Sequence, residues 1–212
     1  MILIGQYDSP FVRRVAIAAH IYGMAYEHRP WSVWADADRL AEVNPARRVP
    51  TLILDDGEVL MDSATILDAL DDMIGRDRAL APPEGSERRR CLRLCALSAS
   101  VGEKAVSLLY EGVLHDSPSQ VWLDRCRAQI GEVLDALEQE RAAGAGAGAY
   151  WMGDAISHAD IVTACVARFV REAHGELFSA VRYPRLAALA ERCEALEPFR
   201  VIVQPLTITM KN

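Results

Sequence analysis

Before its carboxy-terminal tail, the chain confines every strand-like run to its first eighty residues, and helical periodicity takes over after Ala81-Pro82-Pro83-Glu84-Gly85-Ser86. A segment of that composition reads as a linker, because neither proline nor glycine supports continued regular structure. This divides the chain into an α/β domain over residues 1–80 and an all-helical domain over residues 86–212. With 51% apolar and 25% charged residues, the chain has the material to bury a core.

The α/β half has a definite order. Ile2 to Tyr7 is a short apolar strand closed by Asp8-Ser9-Pro10. From Pro10, the residues Val12, Val15, Ala16, Ala19 and Tyr22 recur at helical steps, with Gly23 as the stop. Proline suits a first helical turn, where its missing N–H costs nothing. Tyr26 to Trp31 is a second strand, and Ala35 to Glu42 holds a short helix. Thr51 to Leu54, the turn Asp55-Asp56-Gly57-Glu58 and Val59 to Met61 form a hairpin signalled by Asp-Gly. Asp62-Ser63 caps a helix carrying Ile66, Leu67, Leu70 and Met73 on one face. The order β-α-β then β-β-α predicts one small mixed sheet with a helix after each half.

In the helical half, Ser86–Leu114 and Gln120–Arg141 are helical by period, and 142–149 is a Gly-Ala loop. Ser157 and Asp160 stand in capping-box spacing, flanked by Ile156 and Ile161. The helix that follows, Val162 to Arg171, is apolar almost all round and is expected to be buried. A final helix spans Tyr183 to Leu196.

Charge and composition exclude several functions. Lys plus Arg number 23 against 30 Asp plus Glu, a net charge of -7, which disfavours non-specific nucleic-acid binding. No apolar run approaches the ~20 residues of a membrane span. The first residues lack the basic and apolar regions of a signal peptide, so a cytoplasmic location is expected. The five cysteines are scattered without a C-x-x-C, which suits reduced thiols packed as small hydrophobes. Cys91 and Cys95, spaced i,i+4, read as core thiols, and the histidines show no ligand spacing, so no metal site is expected. The run Arg88-Arg89-Arg90 with Arg93 is distributed around its helix and reads as a solvated face.

Three motifs in order, Tyr7-Asp8-Ser9-Pro10-Phe11-Val12-Arg13-Arg14, Asn44-Pro45-Ala46-Arg47-Arg48-Val49-Pro50 and Asp62-Ser63-Ala64-Thr65-Ile66-Leu67, resemble those of cytosolic glutathione transferases. The likeness is to bacterial serine-type members carrying S-P-F-V-R near the start, and the capping box at Ser157 adds a fourth motif. It implies a thioredoxin-like amino-terminal domain and an all-α helical bundle, joined in a homodimer. It also implies glutathione as co-substrate, bound on the first domain, with a small hydrophobic electrophile in a cleft between the two.

Carried across residue by residue, the resemblance puts Ser9 against the glutathione sulfur and Val49 in backbone pairing with the cysteinyl unit. Pro50 becomes the cis-proline orienting that edge, and Asp62 and Ser63 hold the γ-glutamyl amine and carboxylate. Arg48 faces the glycyl carboxylate or solvent. Phe11, two residues from Ser9, leads the candidates for an apolar wall, with Trp34, Tyr110, Leu114 and Trp151 as alternatives that serve equally well as core. Two departures stand out: Asp62 is shorter than the Glu or Gln more usual there, and Ser9 replaces any cysteine, which removes a dithiol mechanism.

The chemistry suits the placement. A hydroxyl donating to sulfur at a helix N-terminus favours the thiolate, the reactive form. Backbone pairing at Val49 requires an exposed strand edge, which a proline keeps from internal use. Arg13 and Arg14, which follow the active turn, are candidates for contact with an anion. Structural roles also fit these residues: Ser9 as an N-cap alone, Asp62-Ser63 as a helix cap alone, Pro50 as an ordinary trans proline, and Arg13 and Arg14 in solvated or interface salt bridges. The expected reaction is conjugation of the glutathione thiolate to the electrophile. The alternatives are a catalytically silent binding protein of the same fold, or glutathione-dependent disulfide reduction, peroxidation or isomerisation.

Overall fold

The computed structural model of the chain describes residues 1–144 and 148–208. They form two compact units, Met1–Pro83 together with the chain from Leu196 onward, and Glu84–Ala195.

The first unit holds a four-stranded sheet in the order β2-β1-β3-β4. Its strands are β1 (Ile2–Ile4), β2 (Glu27–Arg29), β3 (Thr51–Ile53) and β4 (Val59–Met61), shorter than the apolar runs that signal them. β1 runs parallel to β2 and antiparallel to β3, and β3 pairs antiparallel with β4. Between β1 and β2 lies α1 (Pro10–Ile21), which buries Val12, Val15, Ala16 and Ala19. It ends as Gly23 requires: at φ 69°, the Gly23 N–H reaches the His20 carbonyl at 3.0 Å and the Met24 N–H reaches that of Ala19 at 2.9 Å. This is a Schellman closure, open to glycine because it lacks a Cβ. A short helix α2 (Ala37–Val43) precedes β3, and α3 (Ser63–Ile74) comes after β4 with Ile66, Leu67 and Leu70 buried. The Tyr22 hydroxyl donates to buried Asp71 at 2.5 Å and accepts from the Leu80 N–H at 2.7 Å, fastening the chain just before the linker.

The second unit is wholly helical apart from its connections: α4 (Gly85–Leu114), α5 (Gln120–Ala143), α6 (His158–Ala173) and α7 (Pro184–Glu194). α6 is buried on nearly every side, as its all-round apolar sequence predicts. The capping box holds its start: Asp160 accepts from the Ser157 N–H at 2.9 Å and from the Trp151 N–H at 2.8 Å. Burial pushes the Asp160 carboxyl above its ordinary value, against those hydrogen bonds. Trp151 is core, its indole N–H donating to Thr163 at 3.2 Å, so the structure does not make it a wall for a second substrate. Of the expected Gly-Ala loop, Ala142 and Ala143 belong to α5, and residues 145–147 lie outside the described residues.

The tail differs most from expectation. The predicted helix over Tyr183–Leu196 stops at Glu194, Leu196 is extended, and α8 (Glu197–Val201) begins anew with Pro198 near its start. Proline lacks the amide that a continuing helix needs. The tail then packs with the first unit, and Arg13 is the reason. That side chain, 2% exposed, donates from Nη2 to the Phe199 carbonyl at 2.9 Å and from Nε to that of Ile202 at 2.8 Å. Its guanidinium also lies 5.4 Å from the centre of the Phe199 ring. Arg13 is therefore a buried anchor for backbone carbonyls, not a solvent-exposed side chain.

Candidate functional site

Sheet register gathers three segments that are far apart in sequence. Ile4, Thr51 and Met61 stand side by side through the pairs Ile4–Thr51 and Thr51–Met61. The chain therefore leaves β1, enters β3 and leaves β4 at the same end of the sheet. At neighbouring-strand spacing these three crossings span about 10 Å. They are the turn Gly5–Ser9, the pair Val49-Pro50 and the helix start Asp62-Ser63.

Ser9 is the N-cap of α1, in extended conformation, with Pro10 as the first helical residue. Its hydroxyl oxygen accepts from the Val12 N–H at 3.4 Å, a long bond, and its carbonyl accepts from the Arg13 N–H at 2.9 Å. Capping uses the oxygen as acceptor and leaves the hydroxyl hydrogen available to donate. The capping role of Ser9 is thus present and does not exhaust its hydrogen-bonding capacity. Phe11, on the first turn of α1, is half-buried.

The Val49–Pro50 peptide bond is cis. The chain before it is braced by Asn44, whose side-chain N–H donates to the Arg48 carbonyl at 2.9 Å and whose oxygen accepts from the Ala46 N–H at 2.9 Å. The Thr51 hydroxyl reaches the same Arg48 carbonyl at 3.0 Å. Neither the amide nor the carbonyl of half-buried Val49 is hydrogen-bonded to any described residue. These groups are free for a reason other than the expected edge strand: β3 is a central strand, and Val49 lies beyond its end, past the reach of β1 and β4. The Arg48 side chain is exposed and pairs with no carboxylate among the described residues.

Asp62 has φ 70° and caps α3, its carboxylate accepting from the Ala64 N–H at 2.8 Å. Ser63, first residue of α3, is buried, and its hydroxyl has no hydrogen-bond partner among the described residues. Fixed by a helix N-terminus and its free amides, this corner suits an anion.

Sequence reasoning passes over Gly5, which adopts φ 129°. A Cβ there would lie 2.5 Å from Val12 Cγ2 and 2.8 Å from Val49 Cβ, so the turn, the first turn of α1 and the Val49 segment meet on its bare α-carbon. A glycine closing an apolar strand is the signal that could have found it. His28 donates from Nε2 to the Gly5 carbonyl at 2.8 Å and stacks on Tyr7 with ring centres 3.9 Å apart. No periodic signal marks that pair.

The family model for the glutathione S-transferase N-terminal domain matches residues 3–76, and that for the C-terminal domain matches 120–192. A glutathione transferase family member from Pseudomonas fluorescens Pf-5, solved with bound glutathione, is 31% identical, with a TM-score of 0.83 over 97% of this chain and 99% of that one. The chain belongs to the glutathione S-transferase family. A glutathione S-transferase from Methylobacterium radiotolerans, in complex with glutathione sulfonate, is 28% identical and superposes with a TM-score of 0.88 over 100% of this chain and 97% of that one. A probable maleylacetoacetate isomerase 1 from Drosophila melanogaster is 28% identical over 94% of this chain and 79% of its own length. The mixed sheet with its helices and the helical second unit are the architecture of this glutathione S-transferase family. Among the described residues no cluster of potential metal ligands occurs, and no helix is long and apolar enough to cross a membrane.

Proposed function

We propose that this glutathione S-transferase family member binds glutathione at the end of its sheet and adds the thiolate to a small hydrophobic electrophile. The observation that carries the reading is the order of unsatisfied groups across the three segments at that end. A spare hydroxyl hydrogen on Ser9, an unpaired amide and carbonyl on Val49, and the Ser63 hydroxyl at a helix N-terminus succeed one another strand by strand. Glutathione presents the complementary series: a thiol, a cysteinyl backbone and a γ-glutamyl carboxylate. Asp62 takes the γ-glutamyl amine, Arg48 the glycyl carboxylate, and Phe11 borders the electrophile. The solved relative with glutathione bound supports the ligand.

In this mechanism the Ser9 hydroxyl donates to the sulfur while the positive end of α1 favours the anion. Its oxygen accepts from the Val12 N–H, which leaves the hydrogen free to donate to the sulfur. A charge-assisted hydrogen bond of about 1.5–3 kcal/mol lowers the thiol pKa by about one to two units. Proximity of the bound electrophile supplies the remaining acceleration. A homodimer in solution is part of the reading, and sedimentation at micromolar concentration tests it: only a 23.4 kDa species refutes that part.

Calorimetric titration with glutathione, followed by conjugation of chlorodinitrobenzene across pH, tests the function. Ser9→Ala is expected to shift the pH midpoint of kcat/KM upward by about one to two units, with activity recovering in alkali. A variant matching its parent at every pH defeats the assignment. Absence of glutathione binding makes the protein a silent member of the fold. Turnover of a small disulfide or peroxide in place of conjugation moves it to the redox alternative.

A further inference from the structure

The turn carrying Ser9 is poorly fixed by its own residues. Within it, the Ser9 N–H reaches the Gln6 carbonyl at 3.2 Å. On one side it is held by the sheet: the Gly5 N–H donates to the Arg29 carbonyl at 2.9 Å, His28 donates to the Gly5 carbonyl, and the Tyr7 and Tyr26 hydroxyls meet at 2.9 Å. On the other side it is held by the carboxy-terminal segment, some two hundred residues away. The Tyr7 N–H donates to Gln204 Oε1 at 3.1 Å, and the Thr207 N–H donates to Asp8 Oδ2 at 3.0 Å. Arg13 completes the link, because its backbone N–H closes the first turn of α1 on the Ser9 carbonyl while its side chain grips Phe199 and Ile202.

We infer that residues 199–207 form a strap that sets the conformation of the Gly5–Ser9 turn, with Gln204 as a positioning residue for the Ser9 hydroxyl. The strap arrives pre-shaped: Phe199 and Ile202 are buried, and Gln204 precedes Pro205, which restricts its backbone toward extended conformations. Its hold falls on Tyr7 and Asp8, the two residues immediately before Ser9. Losing it loosens the turn and lets the Ser9 hydroxyl shift from the position in which it caps α1. Gln204 touches no reacting atom in this scheme and acts through the Tyr7 amide alone. The consequence for the thiol rests on the function proposed above, whereas the strap's hold on the turn does not.

Two variants of the full chain test this. Gln204→Leu keeps the size of the side chain and removes the acceptor, and Gln204→Glu keeps an acceptor. In ligand-free protein, amide exchange of Tyr7 is expected to run about fivefold to tenfold faster in Gln204→Leu, the factor carried by one ordinary hydrogen bond, and to return to the parental rate in Gln204→Glu. The unfolding midpoint stays within about 2–4 °C, because a half-buried residue outside the core is altered. With glutathione bound, the thiol pKa rises by about half a unit or more in Gln204→Leu, while KM for glutathione changes less than about twofold. The double variant Ser9→Ala with Gln204→Leu shows the same thiol pKa as Ser9→Ala alone, because the strap works through that hydroxyl.

Unchanged Tyr7 exchange in Gln204→Leu overturns the strap. Faster exchange with an unmoved thiol pKa, in a protein where Ser9→Ala does move it, overturns the positioning role. If Ser9→Ala moves nothing, it is the proposed function that falls, and amide exchange alone then decides the strap.

Discussion

Replacing Gly5 by alanine places a methyl group where three parts of the site converge. Two costs arise. The backbone holds φ 129°, a region nearly closed to residues with a Cβ, and such conformations cost about 1–3 kcal/mol. The new methyl also meets Val12 Cγ2 at 2.5 Å and Val49 Cβ at 2.8 Å. Neither neighbour is a flexible chain end, since both are branched close to the main chain, so relieving the overlap moves backbone or forces rotamers at about 1–3 kcal/mol. Gly57 separates the two costs: it has φ 91° in the β3–β4 hairpin, with open space around its α-carbon, so Gly57→Ala carries the backbone cost alone. The expected difference between the variants is the steric part, about 1–3 kcal/mol, or about 2–12 °C in unfolding midpoint for a chain of this size. Thermal unfolding of both proteins by circular dichroism measures it. Equal midpoints would refute the crowding, and with it the claim that Gly5 sets the distance between α1 and the Val49 segment.

Other contacts carry their own expected outcomes. Arg13→Met keeps length and removes two charge-assisted hydrogen bonds to Phe199 and Ile202, each contributing about 1.5–3 kcal/mol; urea unfolding should show a loss of about 3–6 kcal/mol, and a loss under about 1 kcal/mol contradicts the anchoring role. Ser9→Asp preserves an N-cap acceptor, so its stability without ligand stays within about 0.5 kcal/mol, yet it offers the sulfur no hydrogen and adds a like charge. Its bound thiol should titrate above even that of Ser9→Ala, and a lower pKa than Ser9→Ala sinks the donor mechanism. Asp160→Asn breaks the capping box and lowers stability by about 2–4 kcal/mol near neutral pH. Because burial raises the Asp160 pKa in the folded state, the wild type binds that proton earlier than its unfolded chain does as pH falls. Its stability advantage over Asp160→Asn should therefore widen from above the raised pKa down to the ordinary 3.8, and a gap that narrows over that window contradicts the burial effect.

Local signals carry much of this architecture. Pro10 after Ser9, Asp-Gly at 56–57 and the capping box at Ser157 each specify their element through neighbours a few residues away, and each element forms where it is signalled. Boundaries fail where tertiary pairing decides them: the apolar run to Tyr7 becomes a three-residue strand because its sheet partners end at Arg29 and Thr51. Motif order points to Ser9, Val49 and Asp62-Ser63 together, and the antiparallel register explains why they share one end of the sheet. Gly5, His28 and Tyr7 escape notice because their roles depend on atoms from other elements. By charge alone Arg13 reads as a surface group. Nothing within a few residues of it announces that backbone carbonyls from the far end of the chain will enclose it.

That enclosure has a consequence for how the protein is made. The helical unit is an insertion within the first unit, which begins at Met1 and resumes only at Leu196. The buried guanidinium of Arg13 must wait for a carbonyl 189 residues later in the chain. At synthesis rates of about 5–20 residues per second, the ribosome takes roughly 6–24 s to travel from Pro83 to Ile202. Throughout that interval the nascent amino-terminal half carries this guanidinium without the Phe199 and Ile202 carbonyls that will enclose it. The helical unit, contiguous in sequence and emerging complete before the tail, is positioned to finish first. Vectorial folding in this chain is thus expected to run against the order of synthesis.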